Sequence, residues 1–242
     1  MTFFSRVADA APWRDEHHGP LPLLLFNLTM VTGLVDSVSY LKLGHVFVAN
    51  MTGNVVFLGF AVADARDFSI PASLVAIVAF LAGALAGGRL GSSLGQHRAR
   101  LLAMASYVKI GLLGAALAVS IAAFDPDGYL AQYALIVLLA LAMGLQNAAA
   151  RRLGVPDLTT TVLTLTLTGL AADSTLAGGK NVNPGRRVLA TAVMFLGAAI
   201  GAMLTFHVSV SAVLALALAL VVVNGIAAYR LSSSTEPWTT GT

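Results

Sequence analysis

Eight apolar stretches divide the chain, at residues 21–43, 46–63, 70–92, 100–124, 128–150, 158–177, 187–207 and 209–230. They are continuously apolar and rich in Leu, Ala and Gly, without the alternation at every second residue that marks the strands of a membrane barrel. Helices are therefore predicted, and most stretches approach the roughly 20 residues needed to cross about 30 Å of hydrocarbon. Polar or helix-terminating residues separate them: Gly44-His45, Asp64 to Asp67, Gly95 to Arg98, Asp125 to Gly128, Arg151-Arg152 with Pro156-Asp157, and Gly178 to Pro184. Only the boundary at His207 to Ser209 lacks a clear breaker.

Composition removes the soluble alternative. Hydrophobic residues make up 57% of the chain and charged residues only 10%, against about 25% charged in soluble domains. The bilayer is the expected solvent. Residues 1–20 lack the basic-then-apolar order of a cleaved signal peptide, and the stretch after them is too long for a signal core, so it is read as a retained crossing. Phe3, Phe4, Val7 and Trp13 suit a cytoplasmic or interfacial segment, with a plain polar tail as the alternative. The domain reading is a first membrane repeat over 21–124, a second over 128–230 and a polar tail from 231 to 242. With no cysteine, disulfides and thiolate metal sites are excluded. A net charge of +3 with no basic block gives nucleic acid no footprint.

Two halves of the chain resemble each other. Gly33-Leu-Val-Asp36-Ser37 matches Gly144-Leu-Gln-Asn147-Ala148, Leu43-Gly44 matches Leu153-Gly154, Met51-Thr52 matches Leu163-Thr164, and Phe80 to Gly83 matches Phe195 to Ala198. The offsets are 111 (144−33), 110 (154−44), 112 (164−52) and 115 (195−80) residues. Charge placement then separates two topologies. If all eight stretches cross, the Lys and Arg residues of the loops divide seven to six. If the second and sixth stretches enter and leave by one face, eleven share a side and only Lys42 and Arg66 lie opposite, as cytoplasmic loops require. The expected fold is all-α: a polytopic membrane helical bundle of two related repeats, with six crossings plus two re-entrant or broken segments. Eight crossings is the alternative. Both termini are expected in the cytoplasm and the halves inverted relative to each other, in a bacterial plasma (inner) membrane.

Polar residues inside apolar stretches carry the candidate chemistry, because such groups are costly against lipid. Asn50, Thr52 and Asn54 surround Gly53, and the second half offers Thr159, Thr160, Thr161, Thr164, Thr166 and Thr168. Asp36 lies well inside the first stretch and is the best single candidate for proton or cation coupling. Lys109 is its candidate partner, Asp173 lies late in the sixth stretch, and Gln146 and Asn147 occupy the place of Asp36 in the second half. The alternative for each is a structural hydrogen bond within or between helices. Gly83, Gly87, Gly91 and Gly95 recur every fourth residue, which predicts close helix packing and offers a homo-oligomer contact through the first three. No catalytic motif is present, the histidines at 17, 18, 45, 97 and 207 have no ligand spacing, and neither enzyme activity, metal nor cofactor is expected.

The strings Gly33-Leu-Val-Asp36-Ser-Val-Ser39, Ala49-Asn-Met-Thr-Gly-Asn54, Gly144-Leu-Gln-Asn-Ala148, Leu153-Gly-Val155 and Thr160-Thr-Val-Leu-Thr164 resemble the YoaK family of bacterial multi-pass membrane proteins. The resemblance covers about residues 20–230, and Leu165 departs from it where the family often has glycine. It implies class and location and supplies no substrate. The expected function is a transporter or channel for a small solute or ion, its site formed near the midplane by Asp36, Asn50, Thr52, Asn54, Gln146, Asn147, Thr161 and Thr164. A structural or partner-binding membrane protein is the alternative.

Overall fold

The computed structural model describes residues 17–65, 67–122, 128–180 and 183–240. The expectation for residues 1–16, and the charges at Arg66, Asp125 and Asp127, lie outside them. The described residues form eight α-helices and no strand: α1 (Leu21–Lys42), α2 (Met51–Val62), α3 (Ile70–Leu94), α4 (Arg98–Ala122), α5 (Tyr129–Leu153), α6 (Thr164–Ala172), α7 (Pro184–His207) and α8 (Val210–Leu231). Local chemistry sets their limits. Prolines open α1, α3 and α7, where a missing N–H costs nothing. The Ser69 and Ser209 hydroxyls accept from the N–H groups of Ala72 and Ala212, capping α3 and α8. That serine cap separates α7 from α8 where the sequence shows no breaker. Positive φ at Gly44 and Gly154 turns the chain after α1 and α5.

Six helices, α1, α3, α4, α5, α7 and α8, are long and apolar enough to cross a bilayer. With 12 and 9 residues, α2 and α6 reach only about 18 and 14 Å. The apolar stretches at 46–63 and 158–177 are thus each broken into an irregular lead-in and a short helix. Contacts at one end settle the count. Arg98 Nη1 lies 3.1 Å from His18 Nδ1, His97 Nε2 lies 3.1 Å from the Ser234 carbonyl, and Arg100 Nε donates to the Ser232 carbonyl at 3.2 Å. The chain before α1, the α3–α4 turn and the chain after α8 therefore meet. Eight crossings would send the α3–α4 turn to the opposite end, so that alternative is overturned. Trp238 closes this end, buried against Gly19, where a side chain would strike its ring.

Helix pairing follows an exchange. The first helix, α1, packs on α7, while α5 packs on α3, and α4 and α8 pack on each other. Glycine makes both exchanged contacts close. Gly33 meets the Met194 carbonyl and the Ala198 N–H, while Gly144 meets the Phe80 carbonyl and the Ala84 N–H. Gly197 lies on the Met30 carbonyl and Gly83 on the Leu141 carbonyl. The two sets of contacts are similarly spaced, with Met30 and Leu141 111 residues apart (141−30) and Phe80 and Met194 114 apart (194−80). Gly83 and Gly87 are taken up by α5, and Gly91 faces Arg152. A homo-oligomer would need a surface other than these glycines.

Candidate functional site

Two chain reversals build the interior. After α1 the chain turns at Gly44 and runs back along the helix, until the Ala49 N–H donates to Asp36 Oδ1 at 3.0 Å. Asp36 lies seven residues before Leu43, so the chain has re-entered by about 10 Å before α2 begins. After α5 the chain turns at Gly154 and returns until the Thr160 hydroxyl meets Gln146 Nε2 at 2.9 Å. Gln146 lies seven residues before Leu153, and the depth is the same. Short helices α2 and α6 therefore start part-way along the crossing helices, with their positive dipole ends toward the middle.

The two reversals are fastened differently. Asn54 clamps the first: its Oδ1 accepts from the Phe47 N–H at 2.8 Å and its Nδ2 donates to the Phe47 carbonyl at 2.6 Å. The Phe47 ring stacks between Tyr40 and Phe57, with centroids at 5.1 and 5.7 Å, and Phe57 stacks on Phe68 at 4.9 Å. In the corresponding part of the second half, Arg187 pairs with Asp157 at 2.9 Å and Asp173 at 2.8 Å and donates to the Gly169 carbonyl. One end is closed by rings and the other by an ion cluster.

Gln146 is the hub of the interior. Its Oε1 accepts from the Lys109 ammonium, which fixes the amide orientation, since an ammonium only donates. Its Nε2 then faces Thr32 Oγ1 at 3.0 Å and Thr160 Oγ1 at 2.9 Å, with the Leu28 carbonyl at 3.4 Å. A second polar link runs alongside. Asn27 donates to the Leu220 carbonyl at 2.8 Å and lies 3.4 Å from Asn224 Oδ1, and Asn224 Nδ2 lies 3.4 Å from Ser106 Oγ. A hollow of about 10 Å³ lies beside Lys109, Ser106 and Gln146, with aliphatic carbons around it.

The expected site is only partly assembled. Gln146 joins α1, α4, α5 and the second reversal, and Thr161 is buried next to Thr160 with no partner for its hydroxyl among the described residues. Asp36 and Asn54 are engaged by their own reversal, and Lys109 bonds Gln146 instead of Asp36, correcting the expected pair. Thr52 and Thr164 are exposed, and Asn50 and Asn147 are half-buried. The larger space, about 400 Å³ along α3 and α5, is an apolar groove lined by Leu74, Val78 and Leu141, away from this chemistry. Sequence reading missed Asn27, Thr32, Ser106 and Asn224 as site residues. The signal for two of them was present: each asparagine is a lone amide within an aliphatic run, the feature that singled out Asn54.

A family model described as "Protein of unknown function (DUF1275)" matches residues 24–226. The chain is also 35% identical over 150 residues to UPF0700 transmembrane protein YoaK of Bacillus subtilis (strain 168). That match covers 62% of this chain and 65% of the relative, just under two thirds of the relative's length. No solved structure matches the chain.

Proposed function

This chain belongs to the DUF1275 family, and from that premise we propose a membrane transporter or channel for a small solute or ion, with its path running past Gln146 between two inverted repeats. One observation carries the reading: two chain reversals bring the chain back to mid-depth, and the second joins a chain of buried polar side chains formed by Thr160, Gln146, Thr32 and Lys109. Discontinuous helices of this kind expose backbone and dipole ends to a substrate at mid-depth. The exchanged packing of α1 on α7 and α5 on α3 supports the repeats, and three crossings in each half invert one relative to the other. The arginine-rich end, with Arg98 and Arg100, is assigned to the cytoplasm of a bacterial inner membrane, together with both termini.

Flux into proteoliposomes tests the proposal, using neutral polyols and small inorganic cations and anions. At least one class should move faster than in protein-free vesicles, and Gln146→Leu should slow it by at least about tenfold, the effect of one lost polar contact of about 1.4 kcal/mol. No acceleration for any of them would sink the proposal. A second reading, a non-transporting scaffold, draws on Asp36 and Asn54, which hydrogen-bond the loop that follows α1. A scaffold would fold and show no flux.

A further inference from the structure

A buried ammonium needs a countercharge, or it gives up its proton. Lys109 is 1% exposed, and its one acceptor among the described residues is the neutral amide oxygen of Gln146. Three N–H donors belong to an ammonium, so two extend beyond Gln146. No helix brings a carboxylate to it. Asp36 is the only acidic residue in the eight helices, and it is bonded to the Ala49 N–H.

The two reversals differ in this same charge. Asp36 sets a carboxylate at the amino end of α2, where the helix dipole is positive. Asn147, 111 residues on (147−36), takes the matching place in the sequence of α5, and Asn147 is neutral. The amino end of α6 is therefore left without a carboxylate, and the buried Thr161 hydroxyl leading to it has no partner among the described residues. Lys109 stands one bridging amide from that turn, through Gln146 and Thr160. The hollow beside Lys109 has room for about one water-sized particle. Ser106 lines it, and since Asn224 donates to the Ser106 oxygen, the Ser106 O–H is left to donate.

We propose that this hollow binds one small monovalent inorganic anion of halide size, with the Lys109 ammonium as countercharge and the Ser106 hydroxyl as a second donor. The inference rests on reading the interior as a ligand path, yet binding at equilibrium is measured separately from movement. Purified full chain in detergent, dialysed into sodium gluconate, is titrated calorimetrically with sodium fluoride, chloride and bromide. One saturable site per chain is expected for fluoride or chloride, with bromide weaker because the hollow is small. Lys109→Met should weaken binding at least about tenfold, the effect of losing a charged donor. If that variant does not fold, Ser106→Ala should weaken it by about fivefold. No saturable binding by any of the three halides overturns the proposal, and so does unchanged affinity in either folded variant. Halide binding without flux would leave this site standing and remove the transport reading. Flux of another solute without halide binding would do the reverse.

Discussion

Asn54 illustrates how one side chain organises a reversal. Both of its polar atoms reach the same residue, Phe47, and Asn54 itself is fully buried. Replacing it leaves a donor and an acceptor of the Phe47 backbone unsatisfied, at about 1–3 kcal/mol each. Asn54→Ala should therefore destabilise the protein by about 2–4 kcal/mol, seen as a lower midpoint of thermal unfolding in detergent. Thr52, two residues away and exposed, has no such role. Thr52→Ala should leave the midpoint within about 0.5 kcal/mol of the parent. Equal effects of the two substitutions would refute the clamp.

At the scale of elements, glycine decides which helices can approach. A Cβ at Gly144 would press into the Phe80 carbonyl, whereas Gly88, on the same α3 as Gly83 and Gly87, faces open space. Gly144→Val should disrupt the α3–α5 contact and lower the unfolding midpoint, and Gly88→Ala should be neutral or slightly stabilising because alanine favours helix by about 1 kcal/mol. The short helices depend on different ties. Arg187 holds α6 to α7 through Asp157, Asp173 and the Gly169 carbonyl, in a partly exposed setting that makes the cluster worth about 1–2 kcal/mol. Arg187→Gln should raise local opening by about 5- to 30-fold. Faster tryptic cleavage after Lys180 in proteoliposomes opened to the protease would report it.

For the whole molecule, the six-crossing path puts the α3–α4 turn and the chain after α8 at one end, and the α2–α3 connection at the other. The chain has no cysteine, so single cysteines can be introduced without removing others. In intact cells, Asp67→Cys should react with a membrane-impermeant maleimide, and Gln96→Cys and Ser234→Cys should react only after the membrane is opened. Labelling of Gln96→Cys and Asp67→Cys from the same side would contradict the topology.

Much of this architecture was legible along the chain. Apolar stretches of crossing length, the breaks between them and the one-sided placement of Lys and Arg depend on local composition and on the bilayer as solvent, and a linear reading captures both. The depth of Asp36 was visible for the same reason: a polar residue stands out against an aliphatic background. What only the tertiary structure decided was who meets whom. Lys109 and Asp36 were the obvious pair by charge, yet the packing of α4 on α5 places Gln146 against Lys109, and the reversal after α1 brings the Ala49 N–H to Asp36. Hydrogen-bond partners follow helix rotation and register, where a shift of one residue turns a side chain by about 100°.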